Sequence, residues 1–227
     1  MKLRATKIAI IDNSLDHAVY DPIRHWKSCL EMDFEVFKAT ENQFPEIRDF
    51  THMILTGSEA SILQRERWAT EEIDLVKSAA EKGVSLLGSC WGHQLLAVAL
   101  AGPRHVRKCP EPEIGWIAIA IHGNAPFLGE KRRAFCFSSH SDEVTDLPDE
   151  FCVLASTDRC QIQAFQYKNE SMWGLQMHPE INIDEAKWYL ERRVANKHDP
   201  LPLFQAAFDS QPKDSRIIFR ALQNFLD

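Results

Sequence analysis

Four short β-rich runs punctuate the first half of the chain, at residues 7–11, 33–38, 52–55 and 85–88, and three of them are apolar at nearly every position. A strand with one wet face alternates between apolar and polar residues, whereas a strand covered on both faces does not. The segments between the runs, at 22–32, 70–82 and 92–101, have the composition and length of helices. This β-α alternation predicts a three-layer α/β fold, a doubly wound and mostly parallel sheet of the flavodoxin or Rossmann kind. From Glu113 the rhythm changes to strand after strand, at 115–121, 134–137, 152–156, 161–167 and 172–176, which predicts an added antiparallel or mixed portion. A helical pattern resumes at 184–194, where Asp184 is placed to cap and Ala186, Tyr189, Leu190 and Val194 recur on one face. A polar loop at 196–202 and a last helix at 215–226 complete the expectation, and no internal repeat interrupts it.

Length and composition narrow the class. With 227 residues, 44% apolar and 26% charged, the chain is expected to form one globular domain over 1–227, in which the helical stretch 184–227 extends a core of about 8–183. The net charge of −7 and the lack of a Lys/Arg block argue against nucleic acid as a partner. The longest uninterrupted apolar run, 95–101, is far short of the roughly 20 residues that cross a bilayer, so no membrane partner is expected. Asp12 cuts the first apolar run well before a signal-peptide core is reached, and no export is expected. Six cysteines without a CxxC pair point away from a zinc knuckle or a secreted disulfide scaffold, toward reduced thiols in a cytoplasmic protein.

Candidate chemistry lies at two places. Gly88-Ser89-Cys90-Trp91-Gly92 stands where a buried strand should meet a helix, the context of a nucleophile elbow. Glycines two before and two after the nucleophile are needed because the turn is sharp and a Cβ there would strike neighbouring backbone. The following helix would point free N–H groups at Cys90, favouring negative charge on it, and the Trp91 N–H is placed to stabilise an oxyanion. The bland alternative is a structural cysteine between two packing glycines. The second place is the end of the 172–176 strand, where Pro179 stops the run and leaves His178 at the edge at which α/β sheets bind ligands. Glu180, two residues on, can hold the imidazole in the tautomer that takes a proton from Cys90, giving a Cys/His/Glu triad.

These residues resemble the class I, triad-type glutamine amidotransferases. Gly88-Ser89-Cys90-Trp91-Gly92-His93-Gln94 matches that family's G-x-C-x-G-x-Q, His178-Pro179-Glu180 matches its H-P-E, and Met53-Ile54-Leu55-Thr56-Gly57-Ser58 stands where the family has a Gly-rich oxyanion loop. Glu113-Ile114-Gly115 and Ser139-His140-Ser141-Asp142 are weaker matches, the latter similar to the amidotransferase half of GMP synthases. The resemblance implies cleavage of the γ-amide of glutamine through a γ-glutamyl thioester on Cys90, with His178 as base and later acid and Glu180 as its orienter. It implies an oxyanion hole from backbone N–H groups near Gly57 and Ser58 and of Trp91, and a substrate grip from Gln94, Ser139, Ser141 and Asp142. No cofactor is implied, and a metal at His140 and Asp142 is less expected than a hydrogen-bonded corner.

Two departures from the family pattern stand out. The oxyanion loop reads Gly57-Ser58-Glu59-Ala60-Ser61, with one glycine and a carboxylate, and Trp91 replaces an aliphatic residue, adding bulk expected at the mouth of the site. Nothing in the chain resembles a synthetase domain. Three readings therefore stay open: an amidotransferase that delivers ammonia to a separate synthetase chain or subunit, one that hydrolyses γ-glutamyl peptides or amides, and a non-catalytic scaffold.

Overall fold

The structure is a computed structural model that describes residues 5–123, 126–195 and 216–227. Its centre is a nine-stranded sheet in the order β2-β1-β3-β4-β9-β8-β7-β5-β6. The strands are β1 (Ile8–Asp12), β2 (Phe34–Lys38), β3 (His52–Leu55), β4 (Ser85–Ser89), β5 (Val106–Ile121), β6 (Arg132–Val144), β7 (Phe151–Ser156), β8 (Ala164–Tyr167) and β9 (Met172–Leu175). The helices are α1 (Pro22–Lys27), α2 (Arg67–Glu81), α3 (Trp91–Leu100), α4 (Ile183–Ala195) and α5 (Arg216–Leu226). From β2 to β9 neighbouring strands run parallel, and from β9 to β6 they run antiparallel.

The apolar runs are buried on both sides as their composition demands. Successive residues of β1 face opposite layers: Ile8 and Ile10 pack with Trp26 of α1, while Ala9 and Ile11 pack with the layer of α2 and α3. β2 is the outer strand, and its Glu35 pairs with Lys7 at 2.9 Å, a charged edge that discourages further strand pairing. α5 is no appendage. Its Ile217, Ile218, Ala221, Leu222 and Phe225 share one face and join the core beneath β1, β3 and β4. Among the described residues no helix is long and apolar enough to cross a membrane.

The structure corrects several boundaries. β5 and β6 are much longer than the expected 115–121 and 134–137, because β5 passes Pro110 and Pro112 through a register shift between Lys108 and Glu113 before pairing resumes. Residues 139–142 are therefore part of β6, with His140 opposite Glu113 and Ser139 opposite Ile114, rather than a turn at a strand end. β8 starts at Ala164, three residues later than expected, and β9 is parallel to β4 on one side and antiparallel to β8 on the other. The expected loop at 196–202 and the first residue of the last helix lie outside the described residues.

Candidate active site

The elbow forms where β4 ends and α3 begins. Cys90 has φ 50° and ψ −102°, a sparsely populated conformation that costs on the order of 1–3 kcal/mol and persists because its neighbours fix it. The Cys90 N–H donates to the Leu175 carbonyl of β9 at 2.7 Å, tying the turn to the adjacent strand. A Cβ on Gly88 would collide with the Gly92 carbonyl, and one on Gly92 would collide with the Leu55 carbonyl, so both glycines are dictated by backbone approach. At the start of α3 the Gly92 N–H donates to the Thr56 carbonyl (3.1 Å) and the Gln94 N–H to the Cys90 carbonyl (3.1 Å). The Trp91 N–H, one of the first-turn donors of the helix, stands immediately after Cys90.

His178 is fixed just beyond β9 by an isolated bridge to Phe137, to whose carbonyl its N–H donates at 2.8 Å. Its Nδ1 lies 2.8 Å from Glu180 Oε1, and the same carboxylate oxygen accepts from the Ser89 hydroxyl at 2.8 Å. This leaves Nε2 on the side of the ring away from Glu180, and Cys90 is near enough for its charge to act on the imidazole. All three side chains are buried. Burial by itself disfavours the imidazolium, but the Glu180 carboxylate and then Cys90 outweigh it and raise the His178 pKa to about 10. Burial likewise opposes charge on Glu180, yet the neighbouring imidazolium holds its carboxyl below the ordinary range.

The loop after β3 is held by a polar knot. The Thr56 hydroxyl accepts from the Asn13 N–H (2.9 Å) and donates to the Gly57 carbonyl (3.0 Å), while Asn13 Nδ2 reaches the Thr56 carbonyl (3.2 Å) and Glu72 Oε1 (3.2 Å). In a trans peptide the N–H points opposite to the C=O, so tying the Gly57 carbonyl back to Thr56 turns the Ser58 N–H away from the knot. A Cβ on Gly57 would come within 2.7 Å of the Tyr20 hydroxyl and 3.0 Å of His178 Cε1, which places this glycine against the triad and explains why it is the one retained. The Glu59 carboxylate accepts from the N–H groups of Leu15 (2.9 Å) and Asp16 (3.2 Å) and so staples the loop to the segment after β1.

Ser58, Cys90, Trp91, Gln94, Ser139, Ser141 and Asp142 all line one cleft, joined there by Glu59, Ile114, Tyr189 and Arg193. Some of these have duties other than those expected. Gln94 Nε2 donates to the Asp142 carbonyl (2.9 Å) and to Gln176 Oε1 (3.1 Å), a strut between α3 and β6. Lys108 Nζ lies 3.2 Å from both Ser141 Oγ and Asp142 Oδ1, and Asp142 Oδ2 accepts from the Ser61 hydroxyl. The bulk of Trp91 is not at the mouth: its indole is buried and stacked on Trp68 of α2, with ring centroids 4.9 Å apart. Sequence reasoning missed Ser89, for which its place inside the elbow motif was the available signal, and Tyr20, Thr56, Tyr189 and Arg193, which no spacing announces.

Behind this wall His140 Nε2 lies 3.0 Å from Glu113 Oε2, and Thr157 and Gln163 also donate to that carboxylate. Cys109 Sγ lies 3.4 Å from His140 Nδ1. Glu113, His140 and Cys160 offer potential metal-ligand atoms within 4.8 Å of one another, but the carboxylate oxygens and the imidazole Nε2 are engaged with each other and with neighbours, the pattern of a hydrogen-bonded knot.

A strained cysteine at a helix N-terminus thus stands near a buried His–Glu pair at the carboxyl edge of a parallel sheet. The chain belongs to the class-I glutamine amidotransferase family, whose sequence model matches residues 9–196. It is 34% identical over 141 residues to a glutamine-hydrolysing GMP synthase subunit from Sulfolobus acidocaldarius, covering 62% of this chain and 72% of that one. It is 27% identical over 204 residues to gamma-glutamyl peptidase 4 of Arabidopsis thaliana, covering 85% of this chain and 81% of that one. Single-chain GMP synthases are much longer, and the chain spans 24% of the one from Caldicellulosiruptor saccharolyticus. In fold it is similar to a glutamine amidotransferase from Thermotoga maritima, with a TM-score of 0.73 at 21% identity over 99% of this chain and 97% of that one.

Proposed function

We propose that the chain hydrolyses the γ-carbonyl amide of glutamine or a γ-glutamyl compound through Cys90, His178 and Glu180. The observation that carries this reading is the 2.8 Å contact of His178 Nδ1 with Glu180, which turns the rest of the imidazole to a cysteine held at the start of α3. In the first half-reaction Cys90 Sγ bonds to the γ-carbon with its proton already held on the His178 imidazolium, the carbonyl oxygen takes the negative charge opposite the N–H groups of Trp91 and Ser58, and the C–N bond breaks as His178 gives the proton to the leaving nitrogen. Water then cleaves the thioester with His178 as base, giving glutamate. Ser89 and Glu180 keep the ring in position, and Ser139, Ser141, Asp142 and Gln94 form the wall that receives the glutamyl head. The retained triad speaks against a mere scaffold, which needs none of the three side chains.

With glutamine the nitrogen product is ammonia, and the kinship with a separate-chain GMP synthase subunit supports delivery of that ammonia to a synthetase partner. A second reading, hydrolysis of γ-glutamyl peptides, is favoured by the alignment with a γ-glutamyl peptidase, which runs over 85% of the chain, against 62% for the synthase subunit. The test is a product assay on the purified full chain offered glutamine and a panel of γ-glutamyl dipeptides. Ammonia release from glutamine supports the first reading and amino-acid release from dipeptides the second. No product from any of them refutes both.

A further inference from the structure

We propose that Arg193 forms a carboxylate-binding subsite on the leaving-group side of the Cys90 cleft, which suits it to γ-glutamyl compounds whose amine portion is itself an amino acid. The proposal rests on the hydrolase reading above and adds the substrate class. Arg193 and Cys90 line the same cleft although they belong to α4 and the α3 elbow. The guanidinium lies over the Tyr189 ring, 5.8 Å from its centroid; the Tyr189 hydroxyl is 3.0 Å from Ser139 Oγ, and the Ser139 carbonyl is 3.7 Å from Cys90 Sγ. Arg193 is thus connected to the nucleophile by one aromatic ring and one strand residue.

The side of the cleft on which it stands follows from His178. The leaving nitrogen must take its proton from that ring, so the departing group lies on the His178 side. Tyr20 packs edge-on against His178 (centroids 6.0 Å apart) and against Tyr189 (5.7 Å), an aromatic series that links His178 to Tyr189, over whose ring Arg193 lies. Gln94, Ser141 and Asp142 line the same cleft and are the groups assigned to the glutamyl head.

Charge supports the assignment. Glu59 lines the same cleft, and burial raises its carboxyl above the ordinary range, opposed only in part by its backbone N–H partners and by the charge of Arg193. Ammonia leaving from glutamine has no use for a cation there. An amino acid leaving from a γ-glutamyl peptide brings a carboxylate that would otherwise confront Glu59, and a guanidinium donates paired, charge-assisted hydrogen bonds to it.

The experiment is steady-state kinetics of the full chain on γ-glutamylglycine and on γ-glutamylglycinamide, which differ only in the charge of the leaving group, for the wild type, Arg193→Gln and Arg193→Lys. The ratio of kcat/KM for the acid over the amide is an internal control, since loss of folded enzyme cancels in it. The wild type should prefer the acid, Arg193→Gln should lower the ratio about tenfold or more, chiefly through KM, and Arg193→Lys should restore part of it. A wild-type ratio near one, or a ratio unmoved by Arg193→Gln, overturns the subsite. So does an equal loss on both substrates, which would put Arg193 at the glutamyl head. Turnover of glutamine together with a ratio near one refutes the subsite and leaves the hydrolase reading standing, whereas no turnover of any of the three substrates refutes both.

Discussion

The molecule contains the same trio of side chains twice. Cys90, His178 and Glu180 stand at the carboxyl edge of the parallel strands, while Cys109, His140 and Glu113 stand in the antiparallel portion, with Cys109 Sγ 3.4 Å from His140 Nδ1 and His140 Nε2 3.0 Å from Glu113 Oε2. The His–carboxylate distances, 2.8 Å and 3.0 Å, do not separate them. Their surroundings do: Cys90 sits on a strained turn at the start of α3, beside the first-turn backbone N–H groups, whereas Cys109 lies within β5, where burial and the nearby carboxylate of Glu143 push its thiol far up. Glu113 is shared with Thr157 and Gln163, and His140 Nδ1 also faces the Asp142 carbonyl at 3.0 Å, so the second trio is braced as a structural knot. A nucleophilic site is made by the helix terminus and oxyanion donors around the cysteine as much as by its partners.

The sharpest way to break this contrast is to delete each thiol. Cys90→Ala should lower kcat on the best γ-glutamyl substrate by a factor on the order of 10⁴ or more, while Cys109→Ala stays within a few-fold of wild type. Glu180→Gln should fall between them, about 10- to 100-fold more active than Cys90→Ala, because nucleophile and base remain. Comparable losses from Cys90→Ala and Cys109→Ala, in variants with native melting, would erase the distinction.

A smaller effect is expected at Thr56, which has no counterpart in the Cys109 trio. If its hydroxyl aims the Ser58 N–H, Thr56→Val should lower kcat about tenfold with KM little changed, and Thr56→Ser should recover most of the loss. A KM effect alone would assign Thr56 to substrate binding. The single glycine of this loop thus does not leave it undefined, since hydrogen bonds from the Asn13 N–H to Thr56 and from Thr56 to the Gly57 carbonyl fix its course.

Two buried histidines give the mildest test, because their environments act in opposite directions. His93 is lowered from 6.5 to about 3 by burial, so below pH 6.5 the unfolded chain takes up a proton that the folded chain refuses, and stability should fall as the pH drops toward 3. His178 is raised from 6.5 to about 10, so its contribution is complete below pH 6.5 and is lost as the pH rises toward 10. Thermal melts should show a maximum near neutrality, with an acid slope of at most about 1.4 kcal/mol per pH unit from His93. Replacing His93 by Gln should flatten the acid limb and spare the alkaline one, and an unchanged acid limb would contradict the assignment.

How far the sequence discloses this arrangement follows the same division of the sheet. β1, β3 and β4 are buried on both faces and read directly as apolar runs, and the elbow and His178-Pro179-Glu180 are contiguous motifs. β5 and β6 resist reading because Pro110, Pro112 and a register shift interrupt one strand, while buried polar residues such as Ser138, His140 and Asp142 give the other the look of a loop. Tyr189 and Arg193 come to the cleft, and Tyr20 to His178, only through tertiary packing, which no local spacing encodes. Trp91 shows the opposite failing: its place beside the nucleophile suggests the mouth, but the first turn of α3 directs its indole to Trp68.

The central claim, that Cys90 alone carries the γ-glutamyl group, is tested most directly by acid-quenching the enzyme during turnover and mapping its peptides by mass. The predicted result is one γ-glutamyl adduct, on the peptide containing Cys90, that disappears in Cys90→Ala together with turnover. An adduct on Cys109 or another residue, or full turnover by Cys90→Ala, would contradict it.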